Sequence, residues 1–110
     1  MLLAVKAHQT PDAAAWLKPV LGPNTRLAVL QNGVEHRARV APFVGAGNTV
    51  VPVVVQLPAE RVAPGQIKTY GGVSLIVGDD EGGRAFAELF AGTFVKVSLT
   101  DDFMTRQWEK

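Results

Sequence analysis

Short apolar runs broken by proline, glycine and polar clusters set the frame of this chain. Leu2–Val5 (LLAV) is wholly apolar, which suits a buried strand of a parallel sheet, with Lys6 just past its carboxyl end. Thr10-Pro11-Asp12 is a helix start: Thr10 can accept from free amides, Pro11 needs no amide partner, and Asp12 favours the positive helix end. AAAWLK carries that helix to Pro19, which should end it. RLAVLQ, residues 26–31, reads as the next strand, closed by Asn32-Gly33. Val34, Ala38 and Ala41 then recur at helical spacing, up to the break at Gly45–Asn48. Strand, helix, strand, helix is βαβ logic, with right-handed crossovers.

TVVPVVVQL is a third strand, and Pro52, which has no amide proton, should sit near an edge or a bulge. The character then changes. Pro64-Gly65 and Gly71-Gly72 bracket QIKTY, and VSLIV follows; such short links predict antiparallel strands. Asp79 or Asp80 can cap a helix through Ala91, with Phe86, Leu89 and Phe90 on its apolar side and Gly92 as its stop. TFVKVSL is a last strand. Thr100-Asp101-Asp102 opens a final helix with Met104 and Trp108 on one face, and the sequence stops at Lys110. The fold class is α/β: a partial Rossmann-like sheet in which parallel βαβ units precede antiparallel strands.

Composition narrows the function. With 110 residues, 47% hydrophobic and 19% charged, the chain makes one globular domain at most. A net charge of +1 is too small for a general nucleic-acid or membrane-surface binder. The absence of cysteine excludes disulfides and thiolate metal sites. The longest apolar run, Val50–Val55, is too short to span a bilayer, and the start lacks the pattern of a signal peptide.

Candidate chemistry is sparse. Lys6 and Asn32 lie just past two candidate parallel strands, 26 residues apart, about one βαβ unit. Ligands of open α/β sheets bind beyond such strand ends, so an ammonium and an amide would face one crevice. A solvated surface lysine and a plain Asn-Gly turn fit the same spacing. His8 and His36 share no ligand spacing with a carboxylate or another histidine, so no metal site is expected, and both read as exposed or core-edge groups. GAG at 45–47 lacks the rest of the dinucleotide fingerprint, Ser74 and Ser98 have no evident base, and Trp16 and Trp108 read as packing groups.

Taken in order, VKAHQT, LQNGV, the Pro-Gly turn and TDDFMTRQWEK resemble the 2-dehydropantoate 2-reductase (ketopantoate reductase) family over essentially the whole chain. The resemblance implies an NADPH-dependent reduction of 2-dehydropantoate, a small 2-oxo acid, to pantoate, on the path to pantothenate and coenzyme A. It implies a cytoplasmic oxidoreductase without nucleic-acid or membrane partners. Carried over by position, Lys6 matches the lysine that lies along the NADP, Asn32 the asparagine near the reacting centre, and Lys110 the proton donor to the substrate carbonyl oxygen.

The same resemblance implies that residues 1–110 are the later part of a cofactor domain. It lacks the first β-α-β unit with its glycine-rich phosphate loop, and also the C-terminal helical domain. Residues 100–110 would begin the helix leading into that domain. Two expectations follow: Lys110 is unsupported and frayed, and LLAV leaves an open apolar edge that drives self-association. Two other readings stay open. One is a short α/β interaction or dimerisation module without catalysis; the other is a dehydrogenase of another 2-oxo or 3-hydroxy acid.

Overall fold

The computed structural model describes residues 1–110. Its elements run in the order β1 (Leu2–Leu3), α1 (Thr10–Val20), β2 (Arg26–Leu30), α2 (His36–Val40), β3 (Thr49–Gln56), β4 (Ala59–Ala63), β5 (Gln66–Thr69), β6 (Ser74–Gly78), α3 (Glu81–Leu89), β7 (Lys96–Thr100) and α4 (Phe103–Trp108). Five strands form one sheet in the order β1-β2-β3-β6-β7, while β4 and β5 make a separate antiparallel hairpin. β1, β2 and β3 are mutually parallel. β6 runs antiparallel to β3, and β7 runs parallel to β6, so strand direction reverses once, in the middle of the sheet.

Side-chain alternation along each strand builds two cores. Leu27 and Val29 of β2 point to one face, where they meet Leu3, Leu17 of α1 and Val40 of α2. Ala28, Val51, Val53, Leu75 and Val77 point to the other, against Phe86 of α3. α3 can lie close because Gly82 and Gly83 face the sheet: a Cβ on Gly83 would stand 1.9 Å from the Gly78 carbonyl oxygen. Asp80 caps α3: its Oδ1 accepts a hydrogen bond from the Gly83 backbone N–H (2.7 Å).

Several elements depart from the sequence reading. β1 is only Leu2–Leu3 and lies at a sheet edge, with Leu2 half exposed. Thr10 does not cap α1; its hydroxyl is buried and donates to the Ala7 carbonyl (2.8 Å). Pro19 stays inside the last turn of α1, which runs one residue further to Val20. α2 buries His36 and Val40 rather than Val34, Ala38 and Ala41. Pro52 is on the central strand, not at an edge: its neighbour on β2 is Val29, and the β6 ladder begins only at Val53, so no β6 partner needs its amide. α3 stops at Leu89, whose side chain is mostly exposed, as are those of Trp16, Met104 and Trp108. These apolar groups are left largely open to solvent. No helix is long and apolar enough to cross a membrane.

Candidate active site

The carboxyl ends of β1, β2 and β3 lie along one edge of the sheet, and the polar groups gather there. Lys6 follows β1, Gln31-Asn32 follow β2, and Val55 is near the end of β3. The turn after β2 is tight: Gly33 has φ 91 and Glu35 has φ 62, both left-handed. Glycine adopts that conformation freely, and the turn swings the chain from strand into α2 within a few residues.

Lys110 reaches this edge from the opposite end of the sheet. Because β6 and β7 are reversed, Gly78 and Thr100 end beside the amino half of β3, and α4 starts there. Phe103 and Met104 line one crevice with Val51, Pro52 and Gly78. From Phe103 to Lys110 a helix climbs ~10 Å at about 1.5 Å per residue. The three steps from Pro52 to Val55 cover ~10 Å at about 3.3 Å each. The two paths end together. Lys110 Nζ donates to Asn32 Oδ1 at 2.6 Å and also to the Val55 carbonyl oxygen. Lys110 is therefore tied down, contrary to the fraying expected of it. Partial burial pushes its ammonium below the ordinary lysine pKa.

Lys6 does not join that pair. It stands exposed on the same edge, with no ion pair, and its backbone amide donates to Gln9 Oε1 (3.1 Å), which fixes the turn before α1. The structure thus brings Asn32 and Lys110 into contact and leaves Lys6 as a free cation nearby.

Sequence reading missed the support beneath the pair. Thr10, Gln31, His36 and Gln107 are the buried polar residues, and one hydrogen-bonded network connects them. Gln31 Nε2 donates to the Val5 carbonyl (3.0 Å) and to Thr10 Oγ1 (2.9 Å). Arg39 donates to Gln31 Oε1 (3.0 Å) and to the Val34 carbonyl (2.8 Å). His36 Nε2 lies 2.6 Å from the Gln31 carbonyl oxygen, and His36 Nδ1 meets the Gln107 amide. His36 is thus neither exposed nor at the core edge, as expected, but buried. Burial lowers its pKa; the Gln31 carbonyl opposes this, and the positive charges of Arg39 and Lys110 add to the lowering. The available signal was Gln31 itself, a polar residue directly abutting an apolar strand.

A partly desolvated ammonium held on an amide oxygen can donate a proton or stabilise negative charge building on a ligand oxygen. Comparisons with known proteins bear on the family and the fold. The chain is 44% identical to a 2-dehydropantoate 2-reductase from Caulobacter vibrioides over 100% of its own length and 38% of that relative. It thus spans under two fifths of that curated protein. A crystal structure of a PanE/ApbA family ketopantoate reductase from Ralstonia eutropha JMP134 superposes with a TM-score of 0.81 at 29% identity, covering 97% of this chain and 35% of that one. D-mandelate dehydrogenase in complex with NADH shares the fold, with a TM-score of 0.84 at 18% identity over 99% of this chain and 37% of that one. Residues 1–82, which carry Lys6, Thr10, Gln31, Asn32 and His36, match the family described as Ketopantoate reductase PanE/ApbA, and the chain belongs to that family.

Proposed function

We propose that residues 1–110 are the later part of the cofactor domain of a cytoplasmic, NADPH-dependent 2-dehydropantoate 2-reductase, which reduces the 2-oxo acid to pantoate. In this reading residues 100–110 begin the helix that leads into a second, helical domain. The observation that supports it is the Lys110–Asn32 contact beyond the parallel strand ends.

The residues present fit the cofactor in part. Lys6 is an exposed cation without an ion pair at that edge, suited to a phosphate of NADPH, and Asn32 offers an amide on the same edge. These 110 residues hold no G-x-G-x-x-G loop for the pyrophosphate. When bound, the nicotinamide supplies the hydride. Lys110 stabilises the negative charge that develops on the substrate's carbonyl oxygen, and its Nζ gives that oxygen a proton. Desolvation, by weakening the hold on the proton, makes Lys110 a stronger acid for this task. Asn32 Oδ1 aims the ammonium without altering its charge.

The test is 2-dehydropantoate-dependent oxidation of NADPH by the whole reductase polypeptide that carries this segment. Lys110→Ala is expected to lower kcat by ~10²–10⁴-fold, the usual worth of a general acid. Unchanged kcat in that variant, or no turnover of 2-dehydropantoate by the parent, would refute the proposal.

A further inference from the structure

The half-buried Phe103 anchors the first turn of α4 against Pro52 and Gly78, but the rest of the helix has little apolar grip. Met104 and Trp108 are mostly exposed, and Gln107 is its buried residue. What holds Gln107 is His36. The chemistry of that contact is defined by its other side. The Gln31 carbonyl can only accept, so His36 Nε2 carries the hydrogen. Nδ1 is then a lone pair, and it accepts from the Gln107 amide nitrogen. The imidazole is neutral and both its nitrogens are satisfied.

Lys110 follows Gln107 by three residues, so the two lie on one side of the helical path. Asn32 and His36 both come from the turn that starts at Gln31. One short segment therefore holds both the residue that receives Lys110 and the residue that grips α4. We propose that His36, acting through Gln107, is a positioning residue that sets the rotation and height of α4 so that the Lys110 ammonium meets Asn32 and the Val55 carbonyl.

The value of this arrangement rests on the proton-donor reading of Lys110, but the geometry can be tested without it. The experiment is NMR on the 110-residue chain with labelled lysine and histidine. It follows contacts between Lys110 Hε and Asn32 Hβ, the Lys110 Cε titration, and the His36 ring nitrogen shifts. Wild type is expected to show the Lys110–Asn32 contacts, a Lys110 titration below the ordinary lysine value, and an Nε2–H tautomer at His36. Gln107→Leu keeps the volume but removes the hydrogen bond. It should abolish the contacts and move the Lys110 titration up toward that of a free lysine. Gln107→Glu offers a carboxylate that only a protonated imidazole can answer. It should keep the contacts and raise the His36 pKa, an outcome that a mere filling role for residue 107 would not produce.

Core amide shifts at Leu17 and Leu27, in the core beside α1, establish that each variant is folded. Retained Lys110–Asn32 contacts and an unshifted Lys110 titration in folded Gln107→Leu would overturn the proposal. So would an Nδ1–H tautomer at His36 in wild type. Failure of the reductase reading would show separately, as absent NADPH oxidation in the whole polypeptide, and would leave these spectra unchanged.

Discussion

Replacing Gly83 with alanine sets two effects of opposite sign against each other. Gly83 lies inside α3, where alanine is intrinsically favoured over glycine by about 1 kcal/mol. Helix propensity alone therefore predicts a more stable protein. The packing predicts the reverse. The new Cβ would stand 1.9 Å from the Gly78 carbonyl oxygen, a backbone atom of β6 that cannot swing aside. Relief requires α3 to lift from the sheet by more than 1 Å, on the order of the shortfall from ordinary contact. Overpacking of this kind costs about 1–3 kcal/mol or more. Lifting also loosens Phe86, now 3% exposed, whose full burial contributes about 1.5–3 kcal/mol. The balance is a net loss of roughly 2–4 kcal/mol after the propensity gain. Urea unfolding followed by circular dichroism measures it: the midpoint should fall while the slope stays that of wild type. Gly72→Ala, with nothing within 4 Å of its added methyl, is the control and should move the midpoint little. A Gly83→Ala midpoint at or above wild type would refute the packing argument and leave propensity in charge.

Other consequences are as open to measurement. His36 has a lowered pKa when folded, so the unfolded chain binds the extra proton first as pH falls. Stability from this group is complete above the ordinary histidine pKa of 6.5 and declines below it, by up to roughly 1.4 kcal/mol per pH unit, until the folded-state pKa is reached. Denaturation midpoints across that range should show the decline, and His36→Gln should flatten it. The 110-residue chain alone should not turn over 2-dehydropantoate with NADPH, since it contains no phosphate-binding glycine loop; steady turnover by the purified chain would contradict this. The half-exposed Leu2 on an edge strand should drive self-association, and light scattering at high concentration should find Leu2→Lys shifted toward the mass of one chain.

The strands of the main sheet were legible because most are apolar runs bounded by turn residues; β4 (AERVA) was missed because it is polar and exposed. A cap at Asp79 or Asp80 was legible because a carboxylate just before a helix suits that place, and the structure assigns it to Asp80. The face of α2 was not, because one of the two residues it buries is a histidine, and only its partners on Gln31 and Gln107 make that burial tolerable. The position of Pro52 depended on where the β6 ladder begins, which local sequence does not encode. Trp16, Leu89 and Trp108 read as packing groups because hydrophobicity reports what a side chain would prefer, not whether a neighbour arrives. Lys6 and Asn32 were recognisable from their places after strands. The meeting of Asn32 with Lys110 depends on strand direction reversing between β3 and β6, a property of pairing rather than of either residue.

That reversal makes β3 and α4 two rulers laid side by side with different gradations. A residue added to the strand lengthens it by about 3.3 Å, which roughly two helical residues would match. Those two residues would also turn the helix by about 200° and swing Lys110 away from Asn32. Only a larger paired change, such as two strand residues (~6.6 Å) with four helical ones (~6.0 Å and a net turn of about 40°), keeps both reach and direction, so the lengths of these two segments are coupled. Changes of length in the β4–β5 hairpin and the outer loops leave this match untouched.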